Sequence, residues 1–140
     1  MKQDIAFDPV AGVSIAIVPD AVAEPGAAGI TVWTVYLLNA NDTPLDTVLI
    51  AAEGYGTQPT GEAVRTSTLR YHFEQVGPQS ATPVELIDPA VFHLTNQYWV
   101  SYYQEGRIFD KKFIFVPDSL VSDNLSPLAL LGGRPGVLHS

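Results

Sequence analysis

The 140-residue chain contains no cysteine. That absence excludes disulfides, thiol nucleophiles, iron–sulfur clusters and thiolate-bound zinc together. Positive charge is scarce as well: 7 Lys and Arg stand against 15 Asp and Glu, a formal net charge of −8. An acidic surface repels a phosphate backbone and an anionic bilayer alike. The densest basic stretch, Arg107, Lys111 and Lys112, is interrupted by Asp110 and follows Glu105. Neither a nucleic-acid partner nor a membrane partner is therefore expected. No run approaches the ~18 uninterrupted apolar residues of a spanning helix. The opening residues Met1–Asp8 lack the apolar stretch of a secretory signal. Together with the missing cysteine, this gives a cytoplasmic expectation.

What the chain does have is β-forming material. Hydrophobic residues make up 46% and aromatics 10%, with Val, Ile, Leu, Tyr and Phe prominent, a composition suited to pleated and half-buried surfaces. A domain of this length buries about two thirds of its unfolded surface, enough for one core without metals or crosslinks. No interval shows a long 3.6-residue apolar period. Short alternating runs recur instead at roughly ten-residue spacing, separated by Pro, Gly, Asn and Asp. They are Val13–Val18, Ile30–Leu38, Thr47–Ala52, Thr66–Phe73, Thr82–Ile87, Gln97–Gln104 and Arg107–Val116. The fold class is thus all-β, a single immunoglobulin-like antiparallel β-sandwich of about seven strands.

Several joints carry specific turn chemistry. Asn39 to Pro44 predicts a corner between two strands, Glu105-Gly106 a tight hairpin, and Asp88-Pro89 a capped helical turn. The stretch from Asp20 to Gly29 and the stretch Gly54 to Gly61 read as loops. After Pro117 the alternation dissolves into Ser-Asp-Asn-Leu-Ser-Pro, the apolar knot Leu128–Leu131 and Gly132-Gly133-Arg134-Pro135-Gly136. Residues 1–117 are accordingly assigned to the sandwich, and 118–140 to a flexible C-terminal tail whose knot is able to dock on something.

Motifs for chemistry are sparse. Arg70, His72 and Glu74 share one face of a strand at i, i+2, i+4, a row compatible with acid–base or metal work but ordinary on a solvent face. His72, His93 and His139 are the only histidines and show no zinc-ligand spacing. No Gly-x-Ser-x-Gly elbow occurs, Gly54-Tyr55-Gly56 lacks the third glycine and helix of a dinucleotide loop, and Gly132-Gly133-Arg134 lacks the lysine of a phosphate loop. No catalytic residue, metal site or cofactor is assigned, and the chain is read as non-enzymatic. The aromatic strand is more informative. Tyr98, Val100 and Tyr102 alternate with Trp99, Ser101 and Tyr103, so one row fills the core and the other shields the sheet or forms a platform. Trp33 and Trp99 are both expected to pack against a facing sheet. If a platform exists, its binding residues are Tyr55, Trp99 and Tyr103, offered to a protein or a sugar.

The segments Thr34–Asn39, Glu53–Gly56, Thr66–Arg70, Asn96–Tyr102 and Asp110–Pro117 resemble, as a whole pattern over residues 30–117, a family of short bacterial all-β proteins without established function. Some members carry a phenylalanyl-tRNA synthetase label. The resemblance brings no catalytic motif, and 4 arginines in 140 residues do not supply a synthetase core. The expected role is that of a protein-interaction or assembly module, able to form a homodimer, with carbohydrate binding or a small His72/Glu74 enzyme as the alternatives.

Overall fold

The computed structural model describes residues 9–20, 32–57 and 59–140. The N-terminal residues, most of the loop expected after Asp20, and Ile30 and Thr31 of the second strand lie outside them.

Ten strands form among the described residues, where about seven were expected: β1 (Val13–Pro19), β2 (Trp33–Asn39), β3 (Leu45–Thr57), β4 (Ala63–Arg65), β5 (Leu69–Val76), β6 (Ser80–Ile87), β7 (Thr95–Gln104), β8 (Arg107–Phe115), β9 (Ser126–Leu128) and β10 (Arg134–His139). The only helical pieces among the described residues are three single 3-10 turns. One sheet has the order β6-β2-β1-β10-β9; the other has the order β4-β3-β7-β8, with β5 also pairing β3. Every pairing is antiparallel. The result is an all-β structure of two antiparallel sheets, consistent with a sandwich.

Alternation decides which residues meet between the sheets. Ile15 and Ile17 of β1, Val35 and Leu37 of β2, Val48 and Ile50 of β3, Tyr98, Val100 and Tyr102 of β7, and Phe113 and Phe115 of β8 make one continuous core. Chain direction is set at the corners. Residues 40–44 carry the chain from β2 in the first sheet to β3 in the second, as the Asn-Asp-Thr-Pro run predicts. There the fully buried Asn39 amide donates to the carbonyls of Thr43 and Gly77, both at 3.0 Å, and its oxygen accepts from the Asn41 N–H at 3.0 Å. One side chain thus ties the β2–β3 corner to the β5–β6 turn. Asp88 caps the predicted turn, accepting from the Ala90 N–H at 2.8 Å, with Pro89 at its first position. The Glu105-Gly106 hairpin joins β7 to β8.

Three expectations need correction. Gly54, Tyr55 and Gly56 are not loop: they extend β3 to Thr57, where β4 and the start of β7 hydrogen-bond to them. A Cβ at Gly56 would stand 3.1 Å from Leu94, and one at Gly54 would stand 3.3 Å from Asn96 and Thr66, so a side chain at either position would crowd these neighbours.

Residues 118–140 do not form a tail, and the sandwich does not stop at 117. β10 pairs with β1 in the middle of the first sheet, and Leu120, Leu128 and Val137 are buried. Leu128, Leu130 and Leu131 cover the outer face of that sheet over Ala16, Val18, Tyr36 and Leu38. The knot docks on its own chain. Gly136 passes so close that a Cβ would lie 2.7 Å from Leu128 and 2.8 Å from Val18.

Trp99 is not a core residue. It is 45% exposed on the outer face of the second sheet. Trp33 is half-buried and meets Phe92 edge-on at 5.1 Å.

Candidate functional site

The outer face of the β5-β3-β7-β8 sheet is built from cross-strand rows. Arg70, Ala51, Trp99 and Lys112 stand side by side on four strands; His72, Leu49, Ser101 and Asp110 form the next row. Small Ala51 and Ser101 lie between larger neighbours, leaving a depression of about 280 Å³ beside the indole, walled by Leu49, Arg70 and Asp110. The ring is held in place on two sides. Its Nε1–H donates to the Asp110 carboxylate, and the Lys112 ammonium stands 4.5 Å from the ring centroid, a cation–π contact. Holding the indole this way lowers the entropy lost when a partner covers it.

The face is unusually apolar for one open to water. Leu49 (49%), Trp99 (45%), Tyr103 (44%), Ile108 (42%) and Ile114 (39%) are all exposed upon it. Of the sequence-predicted binding residues, Tyr55, Trp99 and Tyr103 do share this face. Tyr55 lies opposite Thr95, and Trp99 and Tyr103 follow at four-residue steps along β7, so the rings are spaced by about 13 Å each. They form a line and not a cluster, and Tyr55 is half-buried. The Arg70, His72 and Glu74 row also lies here, exposed. Arg65, Arg70 and Lys112 make no ion pair with a carboxylate among the described residues.

A second feature escaped the sequence reading. Glu85, on β6, points between the sheets and accepts hydrogen bonds from the hydroxyls of Tyr71 on β5 (2.8 Å) and Tyr98 on β7 (3.3 Å). It lies beside a cleft of about 290 Å³ at the β5–β6 seam, flanked by the exposed Leu69 and Leu86. Strict alternation in Pro83-Val84-Glu85 would put Val84 and Glu85 on opposite faces. The β2–β6 register instead shifts between Val35 and Tyr36, so that Val35 faces Glu85 and Tyr36 faces Pro83. The bulge lets Val84 join the core while Glu85 reaches the tyrosines. Burial pushes the Glu85 carboxyl above its ordinary range, against the lowering effect of both tyrosine bonds. Burial, with help from Glu85, pushes Tyr71 up to about 12, and burial raises Tyr98 strongly. Neither phenol is available as a base, and both donors are spent on Glu85. The trio acts as a polar pin across the sandwich.

This pin has a pH signature. A carboxyl raised in the folded state contributes stability that is fully present below its unfolded pKa, about 4.3, and lost as pH rises through the folded value. Glu85→Gln removes that dependence. The variant is expected to gain stability relative to the parent between pH 4 and pH 8, read as melting temperature against pH. Parallel curves for the two proteins would contradict the assignment.

No group of His, Asp and Glu arranged to hold a metal ion occurs among the described residues, and no helix among them is long and apolar enough to cross a membrane. No protein-family model matches the chain, and no curated protein is significantly similar to it.

Proposed function

We propose that this protein is a non-enzymatic, cytoplasmic protein-interaction module of immunoglobulin-like type. Its recognition surface is the outer face of the β5-β3-β7-β8 sheet. The observation that carries the reading is the exposed, positionally fixed Trp99, which shares its face with four other exposed large apolar side chains. Tryptophan, tyrosine and arginine in a desolvatable centre are the residues that dominate interface energetics. The chain-crossing corners and the wholly antiparallel pairing support the immunoglobulin-like type.

The partner's chemistry follows from charge. The molecule as a whole is acidic, yet Arg65, Arg70 and Lys112 ring this face without carboxylate partners among the described residues. The occupant is an acidic protein segment with apolar anchors: its carboxylates meet these cations and its apolar groups cover Trp99, Leu49 and Tyr103. Selection of a displayed peptide library on the immobilised full chain should enrich acidic–apolar sequences. Their affinity should drop at least tenfold in Trp99→Ala, a loss of about 1.4 kcal/mol or more. A library that yields no enrichment, or binders indifferent to Trp99→Ala, would overturn the reading.

The even 13 Å line of Tyr55, Trp99 and Tyr103 favours a second reading, an extended polysaccharide laid along β7. The aliphatic Leu49, Ile108 and Ile114 between and beside the rings favour protein over sugar. Glycan-array hits lost in Trp99→Ala would reverse that order.

A further inference from the structure

Among the described residues the second sheet ends at β8. Among the described residues β8 pairs only with β7, over nine consecutive residues with no register shift. The facing sheet approaches it only through the core side, where the His139 ring meets Phe113 at 5.5 Å and Phe115 at 5.7 Å. Glu105 and Gly106 both have positive φ, 51° and 78°, as in a two-residue hairpin turn. The closing pair Gln104–Arg107 is then a hydrogen-bonded pair. Alternate residues from Arg107 onward turn their backbone groups toward β7. Ile108, Asp110, Lys112 and Ile114 turn theirs to the open side, and their side chains lie on the outer face.

Proteins blunt such edges with proline, bulges, short strands or charged side chains, lysine above all, and each of the other edges here carries a proline and bulge, a short strand or a polar row. β6 carries Pro83 and a bulge, and β9 is three residues long. β5 presents the polar row Arg70, His72, Glu74, and its Tyr71 is bonded to Glu85 across the seam. β8 contains no proline and no bulge, its outward row is apolar at both ends, and its two edge lysines, Lys111 and Lys112, are folded over the Phe113 and Trp99 rings.

We propose that two copies of this chain pair through β8, antiparallel about a two-fold axis at Lys111. In that register the outward rows are self-complementary. Asp110 stands opposite Lys112 of the second copy, and Ile108 opposite Ile114, each pair occurring twice as an isologous contact requires. The hydrogen-bonding groups left open on β8 are the ones this register joins. Moving the axis to Asp110 or Lys112 sets like charges against each other on the outer face. Moving it by half a step mismatches the open backbone groups. Lys111 meets its copy on the axis with its ammonium drawn back over its own Phe113 ring, 5.0 Å from the centroid. The pairing covers Ile108 and Ile114 and joins two Trp99 faces into one sheet surface.

The test uses the full chain in sedimentation or light-scattering measurements over a wide concentration range. A reversible dimer is expected. Asp110→Lys sets an introduced ammonium against Lys112 at both pairs and should shift the population to monomer. Asp110→Lys combined with Lys112→Asp should restore the dimer, which separates broken pairing from broken folding. Because the chain has no cysteine, the register can be read directly. Ile108→Cys mixed with Ile114→Cys should form an inter-chain disulfide on oxidation. Either variant alone should not, since like positions lie about 20 Å apart. A chain monomeric at every concentration, an Asp110→Lys variant as dimeric as the parent, or equal crosslinking in the single-variant controls would each overturn the proposal. Oligomeric state is read without peptide and recognition by Trp99→Ala on peptide binding, so the two proposals fail separately even though Asp110→Lys also removes the acceptor that holds Trp99.

Discussion

Deleting residues 118–140 is expected to abolish cooperative folding. The segment supplies β10, which hydrogen-bonds along β1 from Ile15 to Ile17, and it buries Leu120, Leu128 and Val137. Losing three buried aliphatic side chains alone removes about 5–9 kcal/mol of burial, comparable with the whole ~5–15 kcal/mol stability of an ordinary domain. The loss does not stop there. Without β10, β1 becomes an open edge, and Ile15, Ile17 and Val18 lose part of their cover. Without the Leu128–Leu131 turn, Ala16, Tyr36 and Leu38 face water. Circular dichroism during urea or thermal unfolding should show no sigmoidal transition for the 1–117 chain, and aggregation through the bared edge is expected. A truncated protein melting within a few degrees of the parent would show that the C-terminal strands are dispensable.

The second large effect is expected at Asn39. Its fully buried side chain fills three bonding positions, and leucine has the same branching but is bulkier. Asn39→Leu therefore strands the carbonyls of Thr43 and Gly77 and the N–H of Asn41 without creating a cavity. At about 1–3 kcal/mol for each stranded group, partly relieved where the turn is solvated, the variant should lose about 2–5 kcal/mol. Asn39→Asp should also destabilise, because a carboxylate cannot donate to two carbonyl oxygens. Its deficit should shrink at low pH, where the acid regains a proton to donate. Chemical denaturation of both variants against pH measures this. An Asn39→Leu variant within about 0.5 kcal/mol of the parent, the range of an ordinary surface change, would mean that the corner is held by its backbone alone.

Local chemistry made much of this molecule legible. The alternation of Trp33, Val35 and Leu37, and of Tyr98, Val100 and Tyr102, reflects a period of two that any half-buried strand must obey. It divided each strand into two distinct faces before any fold was known. Asp88-Pro89 and Glu105-Gly106 act over two or three residues, so their turns follow from their own backbone preferences.

What remained hidden depended on neighbours distant in sequence. Arg134–His139 carries two breakers and little alternation. It becomes a strand only because β1 offers an unpaired edge more than a hundred residues earlier and Gly136 fits against Leu128 and Val18. Gly54-Tyr55-Gly56 is strand and not loop because β4 and the start of β7 pair with it, with Leu94, Asn96 and Thr66 close against its glycines. Glu85 becomes a half-buried pin through a bulge opposite Val35, with tyrosines drawn from two strands of the other sheet. Alternation said that Trp99 opposes Tyr98. It could not say which row would face water, because that depends on which side of the β3–β7–β8 sheet the first sheet covers. The sequence by itself determined an all-β chain and the two-sidedness of its strands, since both follow from local sterics and period-two burial. Only the tertiary structure decided that the C-terminal segment is integral and that the Trp99 face lies open, since both depend on long-range packing between segments with no local signal for each other.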